Sequence, residues 1–474
     1  MSQFGDYFFC GIGGSGMTPL ALIVQARGGW VEGSDRALDQ GRNTERFDFL
    51  RARGVRLHPQ DGSGVIRPSQ ILVTSTAVEE TVTDVQAARR IGAPVITRAK
   101  LLADLFNSAA LGVGVAGTSG KSTTVGMLGW ILYRAGKSPT IMNGADMKNF
   151  IDANSLFASA RIGQGGIFVS EVDESDGSIR FFEPRVAVVN NISLDHKSLD
   201  ELRALFRGFV AKAQTVVLNL DNAETAALLA GLRPGQAITY SLNSTQAHLH
   251  ASPPVRSPAG TVFQVKARDT GESVEVDLKV PGLHNAANAL AALCAAQACG
   301  VPLKAAAAYL GDFSGIRRRL EIVGASNGIT VIDDFAHNPD KISATLETLH
   351  AFPGRLLVMF QPHGYGPIRF MRDALVGCFG DGLRDGDVLV MPAPVYFGGT
   401  VDRSIGSDDI VCEVQRRGRK AFAFPDRTAC GDLLVKLARR GDRIVVMGAR
   451  DDSLSQFARE LLRRLAAPKD KDSI

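Results

Sequence analysis

The sequence lacks paired cysteines. Its six cysteines, at positions 10, 294, 299, 378, 412 and 430, form no Cys-x-x-Cys pair and no metal-type spacing. Reduced thiols, most of them buried fillers, are therefore expected. No stretch approaches 18 apolar residues, which excludes a membrane-spanning helix. The opening Met1-Ser-Gln-Phe-Gly-Asp6 has no basic segment ahead of an apolar core, so no signal peptide is expected. Neither sign of charge dominates. Lys and Arg number 53 against 49 Asp and Glu, a net +4 that is too diffuse to argue for nucleic acid. Proline is scarce at 20 residues and glycine has no fixed period, which sets aside collagen-like and disordered chains. These absences describe a cytoplasmic, soluble, enzyme-sized protein.

Glycine is what the chain has in excess: 50 of 474 residues, about 10.5% against a usual ~7%. Such a surplus belongs at turns and where backbone approaches a ligand. With 45% hydrophobic and 22% charged residues the chain is ordinarily globular, and at roughly 150 residues per domain its length suggests about three.

Short apolar runs alternate with helical stretches in three successive α/β blocks. In the first, Tyr7–Cys10 reads as a strand, Gly11–Gly16 as a turn and Met17–Arg27 as a helix. Further strands are expected at Gly29–Gly33, Ile71–Thr74 and Pro94–Thr97. The second block opens at Ala110 and continues through Ile167–Ser170, Val186–Asn190 and Thr215–Asn219. Alternation of period 2 at Val262–Ala267 and Ser273–Val280 suggests a small antiparallel appendage. An Ala-rich buried helix follows at Asn285–Gly300. Strands near Ile329–Asp333, Arg355–Phe360, Val388–Met391 and Arg443–Met447 mark the third block. This is the βαβ signature of parallel sheets.

Two glycine-rich turns carry phosphate-binding chemistry. Gly11-Ile-Gly-Gly-Ser-Gly16 lies between a strand and a helix, with Asp35 nineteen residues beyond its last glycine. The glycines admit a phosphate to the backbone and the helix N-terminus supplies amides and a favourable dipole. The pattern specifies a diphosphate and a ribose, with Asp35 on a ribose hydroxyl, and does not name the base. Ala116-Gly-Thr-Ser-Gly-Lys-Ser-Thr-Thr124 is more specific. Its Gly117, Thr118, Ser119, Gly120, Lys121, Ser122 and Thr123 form a P-loop, with amides around the ATP β-phosphate. Lys121 would balance charge on the β/γ oxygens and Ser122 would ligate Mg2+. A general P-loop starts with glycine at position 115, where this chain has Val115, so the loop is a compressed variant.

Glu171-Val-Asp-Glu-Ser-Asp176 ends an apolar strand and Asp195-His196 follows the next. A carboxylate and an imidazole on neighbouring strand ends beside a P-loop serine suit a Mg2+–ATP site. His284 and Asn285 read as caps of the Ala-rich helix. Arg317-Arg-Arg319 precedes the strand-end loop Asp333-Asp-Phe-Ala-His337, and arginine is the residue type that stabilises a transferring phosphoryl group.

In this combination and order the motifs resemble the Mur ligases over nearly the whole chain. The resemblance implies three domains: a Rossmann-like UDP-binding domain at 1–110, a central P-loop ATPase domain at 111–316 and a Rossmann-like acceptor domain at 317–474. It implies an ATP-dependent, amide-forming ligase of peptidoglycan assembly that acts on UDP-N-acetylmuramate through an acyl phosphate. Lys121, Glu171, His196 and Arg318 would be catalytic, with Ser122, Glu171 and His196 on Mg2+. Asn285, Arg318 and Asp334 would join the P-loop in meeting the nucleotide. Gly13, Gly14, Ser15, Gly16, Met17, Asp35, Ser75, His337 and His363 would meet substrate, with Asp334 and His337 where the family closes around it. The partners implied are the nucleotide sugar and an amino acid or short peptide, bound by a monomer or weak homodimer. Gly11–Met17 and Phe360-Gln-Pro-His363 resemble members that add L-alanine. Gly126–Leu132, Arg317–Glu321 and Asp333–His337 resemble members that attach a recycled tripeptide. The resemblance implies L-alanine as the acceptor, with a recycled tripeptide as the alternative. Ser119 stands where the family usually has His, and Gly364 where the alanine-adding members have Arg; if that Arg grips the acceptor carboxylate, its loss counts against L-alanine. Lys212 lies near where some relatives carry a carbamylated lysine; an ordinary surface lysine is the simpler reading.

Overall fold

Five strands in the first hundred residues build a parallel sheet. The computed structural model describes residues 5–75, 78–152, 157–193, 197–258, 260–395, 402–449, 451 and 453–467. Strand order in this sheet is Arg56–His58, Trp30–Ser34, Asp6–Cys10, Gln70–Thr74, Val95–Thr97, with every pairing parallel. The first strand lies in the middle, so chain order reverses beside it. Its carboxyl end, followed by the glycine turn and the Met17–Ala26 helix, is the crevice where ligands of such sheets bind. Arg56–His58 escaped the sequence reading because three residues with two charged or polar ends give no apolar run.

The second sheet has eleven strands. Leu111–Ala116 lies between Ile167–Glu171 and Val186–Val189, parallel to both. Order reverses at this strand too, and the P-loop leaves its carboxyl end into the Lys121–Arg134 helix. The expected antiparallel appendage is a continuation of this sheet. Ala237–Ser241 pairs parallel with Thr215–Asn219, Leu249–Ala251 extends it, and Gly260–Ala267 adds antiparallel. Ser273–Leu278 pairs with Gly260–Ala267. Alternation identified the strands but not the partners. The Ala-rich helix runs Leu283–Ala298 with Ala289–Ala296 buried throughout, so His284 and Asn285 lie inside its first turn and do not cap it.

The third sheet orders Glu321–Ser326, Ile329–Asp334, Arg443–Gly448, Leu356–Gln361, Val388–Pro392, Lys420–Phe424. Its edge strand Glu321–Ser326 is antiparallel and the other pairings are parallel. Helix starts follow local chemistry. Asn338 caps Pro339–His350 with Pro at its first position, and Ser198 with Glu201 forms a capping box. Five cysteines are buried and Cys412 is exposed, all of them free. Among the described residues no helix is long and apolar enough to cross a membrane. The chain divides into two compact units, one of Met1–Val255, Val262–Lys279 and His284–Ser314, the other of Arg256–Thr261, Val280–Leu283 and Gly315–Ile474.

Candidate active site

At the first glycine turn, Asp35 holds the backbone. Its carboxylate accepts the Gly13 amide at 2.9 Å and, as helix cap, the Ala37 amide at 2.8 Å. Arg46 donates to the Gly13 carbonyl at 2.6 Å. Gly14 and Met17 amides are spent on carbonyls of the turn. Among the described residues the amides of Ser15 and Gly16 have no protein acceptor, and open amides at a helix start suit an anion. Arg98 packs against Gly16, adding a cation beside them. Ser75 follows the Gln70–Thr74 strand at the same sheet edge. The fixed geometry of Asp35 makes a prediction. Asp35→Ala removes two backbone bonds, together about 1.5 kcal/mol, and is expected to raise the KM for the nucleotide sugar about tenfold with little change in the KM for ATP.

The P-loop is narrower than the general form. Val115 is a fully buried strand residue, and the turn begins at Gly117. At Gly120 φ is +79°, and a Cβ there would lie 2.4 Å from Asn288 Oδ1, so only glycine fits. Asn191 cradles the loop. Its side chain accepts from Thr118 Oγ1 at 2.8 Å and Ser119 N at 2.9 Å, and donates to Ser119 O at 3.2 Å and Oγ at 2.9 Å. Amides of Gly120, Lys121, Ser122 and Thr123 have no protein acceptor among the described residues, as a helix N-terminus awaiting a phosphate should.

Lys121 Nζ donates to the Gly117 carbonyl at 2.7 Å and to Glu174 Oε2 at 2.8 Å. Desolvation opposes its charge, but Glu174, Glu171 and Asp173 outweigh that and hold the ammonium above its ordinary pKa. Burial raises the Glu174 carboxyl, and Lys121 only partly offsets it. Ser122 Oγ donates to Glu171 Oε2 at 2.8 Å, and the Gly144 amide reaches the same oxygen at 3.0 Å. Asn143 donates to the Ser122 carbonyl at 3.0 Å, and its own Oδ1 is buried without a partner among the described residues. A hydroxyl and a carboxylate side by side are hard oxygen donors of the kind Mg2+ takes, so the residues present fit that ion. His196 and its neighbour Asp195 lie outside the described residues. Asn285 and Asn288 are buried on one helix face, joined by an Asn288 Nδ2 bond to Asn285 Oδ1 at 3.2 Å.

In the second unit the arginines separate. Arg318 has φ +58° and Leu320 φ +48°, and this turn buries the Arg318 guanidinium. It donates to Gly448 O at 2.7 Å and Asp451 O at 3.2 Å, and pairs with Asp333 at 3.4 Å. A side chain so engaged braces its own unit. Arg319 is half-buried over the Phe335 ring, 4.6 Å from its centroid. Arg318→Ala is therefore expected to destabilise this unit by about 3 kcal/mol, leaving Asp333 buried without its cation. Arg319→Ala costs under about 1 kcal/mol, and thermal unfolding of the two variants checks the difference. Asp334 is buried, its pKa raised by desolvation, and accepts from the Leu320 amide and the Thr345 hydroxyl. Its carboxylate thus closes the arginine turn onto the following helix. His337 and His363 meet edge to face, with centroids 5.3 Å apart. Burial, then Lys341, and also His363 and Arg319, push the His337 imidazole down to about 3, so it is neutral and its Nδ1 contacts the Phe335 carbonyl at 2.8 Å.

Gly364 has φ +144°, and a Cβ there would meet only Pro367 at ordinary contact. Space is open, but the backbone is one that side chains avoid, so the absence of arginine is built into this turn. Lys212 Nζ donates to Arg180 O at 2.6 Å and Phe182 O at 3.3 Å. It ties a neighbouring turn to its helix. Sequence reasoning missed Asn191, Asn143 and Asn288. Asn288 had a signal, its spacing of three from Asn285 on a helix; Asn191 had only a polar pair after an apolar strand.

Comparison with known proteins gives a consistent result. Residues 6–109 match the Mur ligase family catalytic domain, 115–296 the Mur ligase middle domain and 318–450 the Mur ligase glutamate ligase domain. A UDP-N-acetylmuramate–L-alanine ligase of Pelotomaculum thermopropionicum is 35% identical over 471 residues, 96% of this chain and 97% of the relative. The enzyme of that name from Rhizobium meliloti is 33% identical over 98% and 97%. Among solved structures, the UDP-N-acetylmuramate–alanine ligase of Thermotoga maritima superposes with TM-score 0.78 at 25% identity, covering 97% of this chain and 99% of that one. A murein peptide ligase from Psychrobacter arcticus gives 0.70 at 25% identity, covering 98% and 100%.

Proposed function

This chain belongs to the Mur ligase family, and we propose that it joins L-alanine to UDP-N-acetylmuramate with ATP, in peptidoglycan synthesis. The observation that carries this reading is the full-length similarity at 32–35% identity to relatives named for that reaction. The tripeptide alternative is less supported, since the murein peptide ligase is the more distant of the two structural likenesses. Gly364 is a departure from the alanine-adding pattern, and the full-length similarity carries the reading in spite of it.

The residues can perform the steps. Open amides at Ser15 and Gly16, with Arg98 beside them, receive the diphosphate of the nucleotide sugar, and Asp35 keeps that turn in shape. The P-loop amides and Lys121 receive the ATP phosphates. Ser122 and Glu171, with His196 as a third candidate, would hold Mg2+, which when bound supplies charge neutralisation for phosphoryl transfer. Transfer of the γ-phosphoryl group to the muramoyl carboxylate gives an acyl phosphate, and the amine displaces phosphate to form the amide. We assign residues 1–110, 111–316 and 317–474 to the sugar, the nucleotide and the acceptor. His337 and His363 would face the acceptor. Phosphate release in a panel of acceptors tests the reading. L-alanine is expected to stimulate release with UDP-N-acetylmuramate and ATP; stimulation by the tripeptide alone rejects it.

A further inference from the structure

Glu174 is the buried carboxylate of the P-loop site that these steps leave without a role. It is 4% exposed, and its carboxylate is paired with Lys121 at 2.8 Å. Lys121 is also the side chain that must turn to the ATP phosphates. When it does, Glu174 is left buried beside the transferring group without its cation, an arrangement that is strongly unfavourable unless another cation arrives. The reaction brings one. An amino acid carries its amine as an ammonium near neutral pH, and that nitrogen must lose a proton before it can attack.

The distances suit such a replacement. Lys121 Nζ is one hydrogen bond from Glu174 and, once turned, one hydrogen bond from phosphate. Turned to phosphate, Lys121 vacates the position one hydrogen bond from the Glu174 carboxylate, and an incoming ammonium carries the same charge and the same N–H donors to that place. The charged groups that act on Glu174 are Lys121 on the helix after the P-loop and Asp173 beside it, and Glu171 at the strand end acts on Lys121. Burial and Asp173 both raise the Glu174 carboxyl, which makes it a better proton acceptor than an exposed glutamate.

We propose that Glu174 receives the ammonium of the incoming amino acid and takes its proton, and is thus a catalytic residue for amide formation. The proposal rests on the acyl-phosphate reading above. One ammonium proton passes to the Glu174 carboxylate. The freed nitrogen lone pair forms the C–N bond at the acyl carbon. The C–O bond to phosphorus-bearing oxygen breaks with its electron pair, and phosphate leaves carrying the second surplus nitrogen proton. Glu174 returns its proton to solvent as product departs.

Hydroxylamine, a nucleophile already neutral near pH 7, provides the test. Glu174→Gln is expected to lower amide formation with L-alanine about 100-fold while retaining hydroxamate formation from UDP-N-acetylmuramate and ATP. Hydroxamate formation also reports that the variant is folded and still activates the carboxylate. Equal losses in both assays, or no loss with L-alanine, overturn the proposal. Should the Gln variant fail to fold, Glu174→Asp keeps the ion pair and sets the carboxylate back by one methylene. Its expected loss is smaller and again confined to the amine, and an equal loss in both assays overturns the proposal. Wild-type hydroxamate formation without an L-alanine response would mean that the acceptor was misassigned, and the comparison would then use the amine the enzyme accepts. If wild type makes neither product, the acyl-phosphate reading and the role of Glu174 fall together.

Discussion

Lys121→Ala is expected to lower turnover about 1,000-fold and to leave the affinity for the nucleotide sugar within about twofold. Lys121 Nζ is bonded to the Gly117 carbonyl of the loop whose amides at Gly120, Lys121, Ser122 and Thr123 are open, and three carboxylates keep it charged. No other described cation is held to that loop by a hydrogen bond to it. The sugar turn at Gly11–Gly16 belongs to a different sheet, and its donors do not depend on Lys121. Removal of Lys121 also leaves Glu174 buried without its partner, which lowers stability. Retained sugar binding, read by calorimetry, shows that the variant is folded when activity is assayed. Loss of both together would contradict two separate phosphate sites.

Glu171→Gln is the second large effect. The substitution preserves shape and replaces the carboxylate that meets Ser122 and the Gly144 amide. If this carboxylate holds Mg2+ with Ser122, kcat falls about 100-fold and the half-saturating Mg2+ concentration rises about tenfold. Titration of activity with Mg2+ checks both. An unchanged Mg2+ curve with reduced activity would move Glu171 from metal binding to loop support. Ser122→Ala is expected to shift the same curve less, because a neutral hydroxyl contributes less to a hard cation than a carboxylate does.

Both glycine turns were legible in the sequence because each is a continuous strand–glycine–helix segment. The requirements for close approach and positive φ are met within a few neighbouring residues, such as Gly117 and Gly120. Three α/β blocks were legible for the same reason: buried parallel strands are contiguous apolar runs. What was hidden lies between distant segments. Asn191 grips Thr118 and Ser119 across more than seventy residues, and Glu174 reaches Lys121 across fifty-three. Neither asparagine nor glutamate carries a local pattern that announces such a partner. The three adjacent arginines were indistinguishable as letters. Only the left-handed turn at Arg318 and Leu320 decides which guanidinium enters the interior. The positive φ at Gly364 was hidden for a related reason, since a missing side chain and a backbone that excludes one look alike in a sequence.

The central claim is that the muramoyl carboxylate is activated by phosphoryl transfer and then captured by L-alanine. An isotope measurement reaches it most directly. UDP-N-acetylmuramate bearing 18O in both carboxylate oxygens is incubated with ATP, Mg2+ and L-alanine, and phosphate and product are analysed by mass spectrometry. The account predicts one labelled oxygen in each phosphate released and one retained in each new amide. Unlabelled phosphate, with both labelled oxygens still on an unchanged sugar, would contradict it.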